Sequence, residues 1–591
     1  MTSLGCDDFV SVESIWNDMQ IAFEVYSFLT FKFDMRGGRK DMAKLRIIPL
    51  GGIGEIGKNM TAFEYGDDVI VVDCGSIFPR QDMLGIDLVI PDITYLTNNR
   101  ERVRAYLFTH GHEDHIGAVP YVFSRVPAPA YGTKLTCALI RGKLTEHNIS
   151  GVHLQVIKPR DTVQIGSFSV QFMKVSHSIA GAVAMAITCP AGTVIVTGDF
   201  KIDYTPIDGE VTDLGMMAEW GNRGVLALLA DSTNVERPGY TMSEKKIAET
   251  FHGLFKDAKK RIIIAMFASN LHRIQQVVDL CVLFGRKICF VGRSMVNVTK
   301  LAMEIGELKI PPEVYVEVSD LDCYEDHEIV VMTTGSQGEP MSGLTRMANS
   351  EHRKLQIREG DMVIISATPI PGNEIMVSRI IDQLYRIGAN VVYNRIADVH
   401  VSGHACQEEL KLIQALVRPK YFVPVHGEYR MLQRHAAIAT SMGMPQDNAI
   451  ILELGQALEL SEDEASITGP IPTGSVMIDG LGVGDVGNVV LRDRKHLSQD
   501  GLIIVVVGVS KETGKLVSGP ELISRGFVYV RENEELISGA RNVALNVLAR
   551  YDHIEQSDWT SIKNGIKDEM HDYLLAQIKR NPMILPIIME T

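Results

Sequence analysis

A chain of 591 residues exceeds the size at which one hydrophobic core keeps growing, so two or three domains are expected. Its 46% hydrophobic and 22% charged residues describe an ordinary globular protein. The 58 basic and 73 acidic side chains, a net charge of −15, argue against a nonspecific polybasic binder, while leaving room for a local basic groove that takes an anionic polymer. Eight scattered cysteines with no C-x-x-C pair point to a reduced, cytoplasmic setting, and no uninterrupted apolar run is long enough to span a membrane.

Residues 1–43 read as an appendage. The apolar run 21–31 follows an acidic start and has no small-residue cleavage site, so a signal peptide is not indicated. Regular patterning begins with a strand over 45–50, followed by Gly52-Ile53-Gly54-Glu55-Ile56-Gly57. That is G-x-G-x-x-G, but a dinucleotide fold needs a helix directly after the glycines. Here residues 59–64 and 69–73 read as two strands around Gly66-Asp67-Asp68, so a β-hairpin is predicted instead. Asp73 ends the second strand, in a place to brace metal-binding histidines from behind.

The next strand ends in Thr109-His110-Gly111-His112-Glu113-Asp114-His115. A lone histidine needs no special explanation, but three imidazoles and a carboxylate this close together would be costly to bury without a metal. Neutral nitrogen and carboxylate oxygen suit Zn²⁺. On a turn leaving a strand, His110 and His112 can address one ion, while Asp114 and His115, displaced along the turn, address a second. Helical periodicity follows over 116–126 and 135–147, then short strands at 154–157, 162–165 and 169–175. The last of these runs into His177, and a strand pair over 182–188 and 193–197 ends at Asp199. His177 can complete the first metal, and Asp199 can bridge both.

An early Asp, H-x-H-x-D-H, a single His and then an Asp after a strand resemble the metallo-β-lactamase superfamily, an αββα sandwich with a dinuclear metal site on one edge. A further strand ends at Asp231, and repeated strand–helix units from about 243 to 395 imply an inserted domain with a parallel sheet. His400-Val401-Ser402-Gly403-His404 and a strand ending in His426 follow. This order is similar to the β-CASP nuclease branch, whose added motifs correspond to Asp231, His404 and His426. Residues 51–59, Phe267-Ala268-Ser269-Asn270 with His272-Arg273, residues 335–340 and 369–374, Arg492-Asp493-Arg494 and residues 524–529 narrow the resemblance to the ribonuclease J family. It covers residues 44–591, and every metal motif is kept.

The resemblance implies a metallo-β-lactamase domain over 44–242 and 396–460, a β-CASP domain over 243–395, a linker over 461–474 and a small α/β C-terminal oligomerisation domain over 475–591. Within that last domain, strands are predicted at 501–509, 527–531 and 582–589, and helices at 534–551 and 562–579. By resemblance, His110, His112 and His177 hold one Zn²⁺, Asp114, His115 and His426 hold the other, and Asp199 bridges. Asp114, Asp231 and His404 carry the chemistry, with His404 as an acid or phosphate ligand. Ser269, Asn270, His272 and residues 400–404 (His400, Val401, Ser402, Gly403, His404) hold the RNA, with the amides ahead of a helix over 407–417 forming a phosphate cradle. Gly85 and Asp87 correspond to residues that bind a structural Ca²⁺ in some relatives, and Asp479 can close such a site. The implied activity is zinc-dependent cleavage of single-stranded RNA, from a 5′-monophosphate end and internally, by a homodimer or homotetramer, with membership of an RNA-decay complex a further possibility. Two rivals are a β-CASP DNA nuclease and a catalytically weak scaffold subunit. One departure concerns the rim of the site: after His177-Ser178-Ile179 the family usually has proline and often an acid, where this chain has Ala180-Gly181.

Overall fold

The computed structural model describes residues 43–591 except Gln81, Pro340, Pro371, Gly372, 530–532 and Asp552. Residues 1–42 of the expected appendage lie outside the described residues, as do Pro340, Pro371 and Gly372 of the family motifs.

Two sheets face one another. The first has eight strands in the order Ala465–Thr468, Ala457–Leu460, Leu45–Gly51, Met60–Tyr65, Asp68–Val72, Val103–Leu107, Ala130–Gly132 and Leu154–Val156. The second has six, in the order Tyr421–Val425, Ala227–Asp231, Gly192–Val196, Val183–Cys189, Phe168–Lys174 and Thr162–Ile165. Their inner faces share one core, with Phe63, Ile70 and Leu107 from the first sheet against Phe172, Met185 and Leu229 from the second. Helices cover both outer faces: Lys134–Glu146 on the first sheet, and Leu214–Arg223, Gln407–Val417 and Tyr429–Ser441 on the second. This is the expected αββα sandwich. Ala227–Asp231 is buried along its whole length, as a strand must be when both faces are covered.

The inserted domain carries five parallel strands in the order Lys287–Val291, Ile329–Thr333, Ile262–Ala265, Met362–Ile365 and Asn390–Tyr393. Helices Glu244–Asp257, Leu271–Phe284 and Arg293–Glu304 cover one face, and Gly343–Ala348 and Glu374–Ile387 the other. The first of these cores also takes in Leu135, Ile179 and Ala180 of the sandwich and Val399 and Val401 of the return segment, so it seals the insert to its host. The Ala180 that departs from the family pattern is thus an apolar contact of that seam.

Two expectations need correction. The acidic run 461–464 is the turn of a hairpin rather than the start of a linker: Ala465–Thr468 pairs with Ala457–Leu460 at the edge of the eight-stranded sheet, and Ser475–Asp479 pairs with Leu88–Pro91. In the C-terminal module the long strand is Leu516–Arg525, paired with Leu502–Val509, and the described residues of the predicted strand 527–531 carry none. That module completes its sheet with Met583–Glu590, under helices Glu534–Leu548 and Trp559–Ile578. Gly85, Asp87 and Asp479 gather as expected in one place, where the guanidinium of Arg494 joins them. Arg494 donates to Asp479 Oδ2 at 2.5 Å and to the Leu84 carbonyl at 2.9 Å, and lies 2.6 Å from where a Cβ on Gly85 would stand. Asp87 accepts from the Gly480 amide at 2.8 Å.

One buried carboxylate ties the first sheet to the helix that follows it. Glu64 Oε2 accepts from Arg46 at 2.7 Å and from the Tyr95 hydroxyl at 2.5 Å, while Oε1 accepts from Arg102 at 2.5 Å. Burial alone would raise its pKa, but these donors outweigh it and hold the carboxyl below the ordinary value of 4.5. A depressed folded pKa gives stability that is complete above the unfolded value and lost as pH falls through the folded one. Glu64→Gln should therefore cost about 2–3 kcal/mol at pH 7, the scale of hydrogen bonds to a charged group. In urea denaturation the gap to the parent protein should narrow as the pH is lowered below 4.5.

Candidate metal centre

The site lies at one edge of the sandwich because strand direction puts it there. Gly192–Val196, Ala227–Asp231 and Tyr421–Val425 run parallel, so Asp199, Asp231 and His426 emerge at the same end. Phe168–Lys174 is two antiparallel steps from the first of these and delivers His177 to that end too. Across the sandwich, Asp68–Val72 and Val103–Leu107 are also parallel and lead into Asp73 and His110. Asp73 and His426 leave their strands with φ of 62° and 53°. Such left-handed geometry costs non-glycine residues about 1–3 kcal/mol and concentrates at functional sites.

Three imidazole nitrogens face one point. His110 Nε2 lies 3.1 Å and His177 Nε2 lies 3.2 Å from His112 Nδ1. Ligands about 2.05 Å from a tetrahedral zinc are separated by about 3.3 Å, so this spacing fits one ion. The other ring nitrogens set the tautomers. Thr109 Oγ1 gives its proton to Asp73 Oδ2 at 2.8 Å and can therefore only accept from His110 Nδ1, at 3.1 Å. His177 Nδ1 donates to the Gly403 carbonyl at 2.7 Å. Both rings thus turn a lone pair inward. Burial drives His110 well below the ordinary histidine range, with His115 adding to it. Burial likewise carries His112 to about 4 and His177 to about 3, so all three stay neutral as ligands must.

The second group joins Asp114, His115, Asp199 and His426, whose ligand atoms all lie within 4.8 Å of one another. Asp199 Oδ2 is 3.2 Å from His115 Nε2 and also 3.7 Å from His110 Nε2, so this one oxygen faces both groups. His426 Nε2 is buried, lies 3.3 Å from Asp114 Oδ2 and makes no hydrogen bond, while Nδ1 is 2.9 Å from Asp199 Oδ1. A buried nitrogen that makes no hydrogen bond, 3.3 Å from a carboxylate oxygen, fits a cation held by both. Asp73 stands behind, accepting from His115 Nδ1 at 2.7 Å and from the Thr109 amide at 2.8 Å. Burial opposes charge on His115 and His426, yet the surrounding carboxylates, Asp199 foremost, hold protons on both in the metal-free protein.

Asp231 and His404 adjoin this group. His404 Nδ1 donates to Asp231 Oδ2 at 2.7 Å and lies 3.9 Å from Asp199 Oδ2. Burial works against its charge, but Asp231 and then Asp199 raise its pKa. Its side chain is 21% exposed, in contrast to Asp231 at 2%.

The residues expected to hold the substrate divide. Ser402 Oγ accepts from Asn234 at 2.8 Å, and the His404 carbonyl accepts from Asn234 at 2.9 Å and from Thr241 at 2.8 Å, which pins 402–404 beside the metal ligands. Val401 is packed in the seam between the domains. The N-terminus of the helix after 404 is not open: Glu409 Oε2 accepts from the amides of Cys406 and Thr241, both at 2.7 Å, so a carboxylate of the chain already fills it. Asn270 caps its own helix by accepting from the Arg273 amide at 3.1 Å, and the Ser269 carbonyl accepts from the Leu271 amide at 2.9 Å. His272 lies 3.6 Å from Asp208 and shares a small pocket with Lys174, His177 and Lys201. His400 Nδ1 is 3.1 Å from Thr368 Oγ1, and burial takes its pKa to about 3.

Sequence reasoning missed several supports. Asn59 of the glycine loop binds the Asp114 carbonyl through its amide at 2.9 Å and its side chain at 3.2 Å, and comes within 3.1 Å of His115 Nε2. Gly52 of the same loop accepts from the His426 amide at 2.8 Å. The glycines that mimic a nucleotide fingerprint thus belong to the metal centre. Glu409 was within reach of sequence reasoning as a capping-box acid, but its partner is Cys406 rather than serine or threonine.

Gly403 has no room for a side chain. A Cβ there would stand 2.5 Å from His177 Cε1 and 2.8 Å from Ser178 Oγ. Gly403→Ala should push the His177 ring off its carbonyl and weaken metal affinity about 10–100-fold, as loss of a ligand's supporting hydrogen bond does. Competition with a colorimetric chelator reads this directly.

The chain matches four family models in order: "Metallo-beta-lactamase superfamily" over residues 53–233, "Ribonuclease J, beta-CASP domain" over 259–384, "Zn-dependent metallo-hydrolase RNA specificity domain" over 388–450 and "Ribonuclease J C-terminal domain" over 489–591. It is 45% identical to ribonuclease J2 of Bacillus subtilis over 554 residues, 93% of this chain and 100% of that protein. It is 41% identical to ribonuclease J of Thermus thermophilus over 565 residues, 94% of this chain and 96% of that one. Among solved structures, a protein of unknown function from Enterococcus faecalis aligns over 71% of this chain and all of its own with a TM-score of 0.51 at 18% identity, a likeness of fold. Since relatives at this identity match along nearly their whole length and the ligand groups occupy one edge of the shared sandwich, the chain belongs to the ribonuclease J family.

Proposed function

We propose that this protein is a metal-dependent hydrolase that cleaves RNA, holding two zinc ions, removing nucleotides from a 5′-monophosphate end toward the 3′ end and also cutting internally. Messenger decay and ribosomal RNA maturation in the cytoplasm are the roles this reading carries. The observation behind it is Asp199: one buried carboxylate oxygen lies between a three-histidine group and a mixed Asp/His group, beside an ion-paired His404. His110, His112 and His177 would hold one ion, Asp114, His115 and His426 the other, and Asp199 both. Bound there, zinc supplies Lewis acidity, acidifying water and neutralising charge on phosphoryl oxygens.

The chain's own residues do the rest. Asp231 fixes the His404 tautomer by accepting from Nδ1, which leaves Nε2–H for a phosphoryl or leaving-group oxygen. The two carboxylates nearest His404 favour its protonated form, as an acid needs. The loop 400–404 returns from the inserted domain over the metal ligands, so RNA held between the domains would meet the metals and His404 together. A homodimer or homotetramer through the C-terminal module is part of the same reading. Met583–Glu590 buries Ile584 and Ile588 but turns Leu585, Ile587 and Met589 outward, an apolar sheet face of the kind that interfaces cover.

An RNA labelled at its 3′ end, with a 5′ monophosphate or triphosphate, tests the activity. Stepwise shortening of the monophosphate form alone, lost in His112→Ala and on chelation and regained with Zn²⁺, is expected. Discrete internal cuts regardless of the 5′ group would make the enzyme chiefly an endonuclease, and cleavage of the matched DNA strand alone would assign it to DNA. His404→Ala should lower kcat about 10²–10⁴-fold while zinc content is unchanged, the range typical of a lost general acid.

A further inference from the structure

Four buried charges meet at the seam between the sandwich and the inserted domain, Lys201 and Asp203 on one side and Glu244 and Arg273 on the other. Lys201 stands two residues after Asp199 and is 1% exposed; its ammonium makes no hydrogen bond but lies 3.6 Å from Asp203 and 3.8 Å from Glu244. Glu244 opens the first helix of the inserted domain, and its amide donates to Asp203 Oδ2 at 3.1 Å. Its carboxylate takes both oxygens to Arg273 Nη2, at 3.0 and 2.7 Å. Arg273 Nη1 donates to Ser366 Oγ at 3.0 Å, and Ser366 Oγ donates to the Val399 carbonyl at 2.6 Å. Val399 begins the segment whose other end gives the Gly403 carbonyl to His177 and the His404 ring to Asp231.

Ion pairs as buried as these rarely add stability over apolar packing, and the seam is apolar on either side, at Ile179, Ala180 and Val401. What a chain of directed bonds adds is register. Apolar surfaces slide, whereas the Glu244 amide meets Asp203 Oδ2 across the seam in one arrangement, and Arg273 holds both Glu244 and, through Ser366, the Val399 carbonyl. We propose that Lys201, Asp203, Glu244 and Arg273 form an interdomain clasp whose role is to position the 399–404 loop over the metal-binding edge. They are positioning residues, acting on RNA through that loop. The inference deepens the ribonuclease reading and rests on it for its kinetic consequences, though not for its structural one.

Three variants test it: Arg273→Met, the conservative Arg273→Lys, and the double Glu244→Gln/Arg273→Met, which leaves Lys201 and Asp203 as a neutral pair. Two readouts are taken on the full chain. Hydrogen exchange by mass spectrometry compares peptides across 399–406 with the remote strand 502–509. Cleavage compares 5′-monophosphate with 5′-hydroxyl RNA. In Arg273→Met the 399–406 amides should exchange at least tenfold faster with 502–509 unchanged, and the preference for the monophosphate end should fall at least fivefold. Arg273→Lys should recover part of both. The double variant should regain thermal stability over the single, because no charge is left alone, yet keep the loosened loop and the lost preference. A double variant that matches the parent in loop exchange overturns the clasp, as does acceleration spread equally over 502–509. If the parent itself shows no 5′ preference, the functional reading fails, and loop exchange alone still decides the clasp.

Discussion

Everything at this site depends on one electrostatic constraint: six imidazoles and three carboxylates, buried or half-buried, are gathered at the edge of an apolar sandwich. Protein donors cannot satisfy them all. Thr109, Asp73 and Gly403 each take one ring nitrogen of a histidine, and the nitrogens left over point at one another at 3.1–3.2 Å. Lone pairs at that distance repel unless something positive lies between them. A metal ion there would answer the gathered nitrogens and carboxylates together, and the uncommon φ of Asp73 and His426 lies at the same edge.

The inserted domain inherits that constraint. Its last strand, Asn390–Tyr393, leads into the loop that returns to the sandwich, and the loop supplies Gly403 and His404 to the metal edge before the helix Gln407–Val417 begins. The insert is thus joined to the site by a covalent return as well as by packing. Small rotations at the apolar seam would be felt at His177 and Asp231. Two directed bonds cross the seam, from the Glu244 amide to Asp203 and from Ser366 to the Val399 carbonyl, and they suppress such rotations without adding much to stability.

How much of this could be read from the sequence follows from how local each signal is. His110, His177, Asp199, Asp231 and His426 each follow a short apolar run, and a run that ends in a lone polar residue is visible without any tertiary knowledge. The parallel insert was legible for the same reason, since its strands are continuous apolar stretches between helical periods. The hairpin over 457–468 was misread because four polar residues at a turn look the same as four in a linker. Asn59, Asn234 and the Glu244–Arg273 pair are illegible because each acts on a partner far away in sequence. At Asp479 the sequence shows a carboxylate but not the guanidinium of Arg494 that answers it.

Gly403 joins the two halves of the argument. The residue matters for its carbonyl, which fixes the His177 tautomer, and for its missing Cβ, which lets the loop pass within van der Waals reach of that ring. A loop that would take RNA and that also orients the His177 ring cannot move for one purpose without affecting the other. Substrate seated on 400–404 would be felt at His177, and a shift of His177 would be felt in the loop.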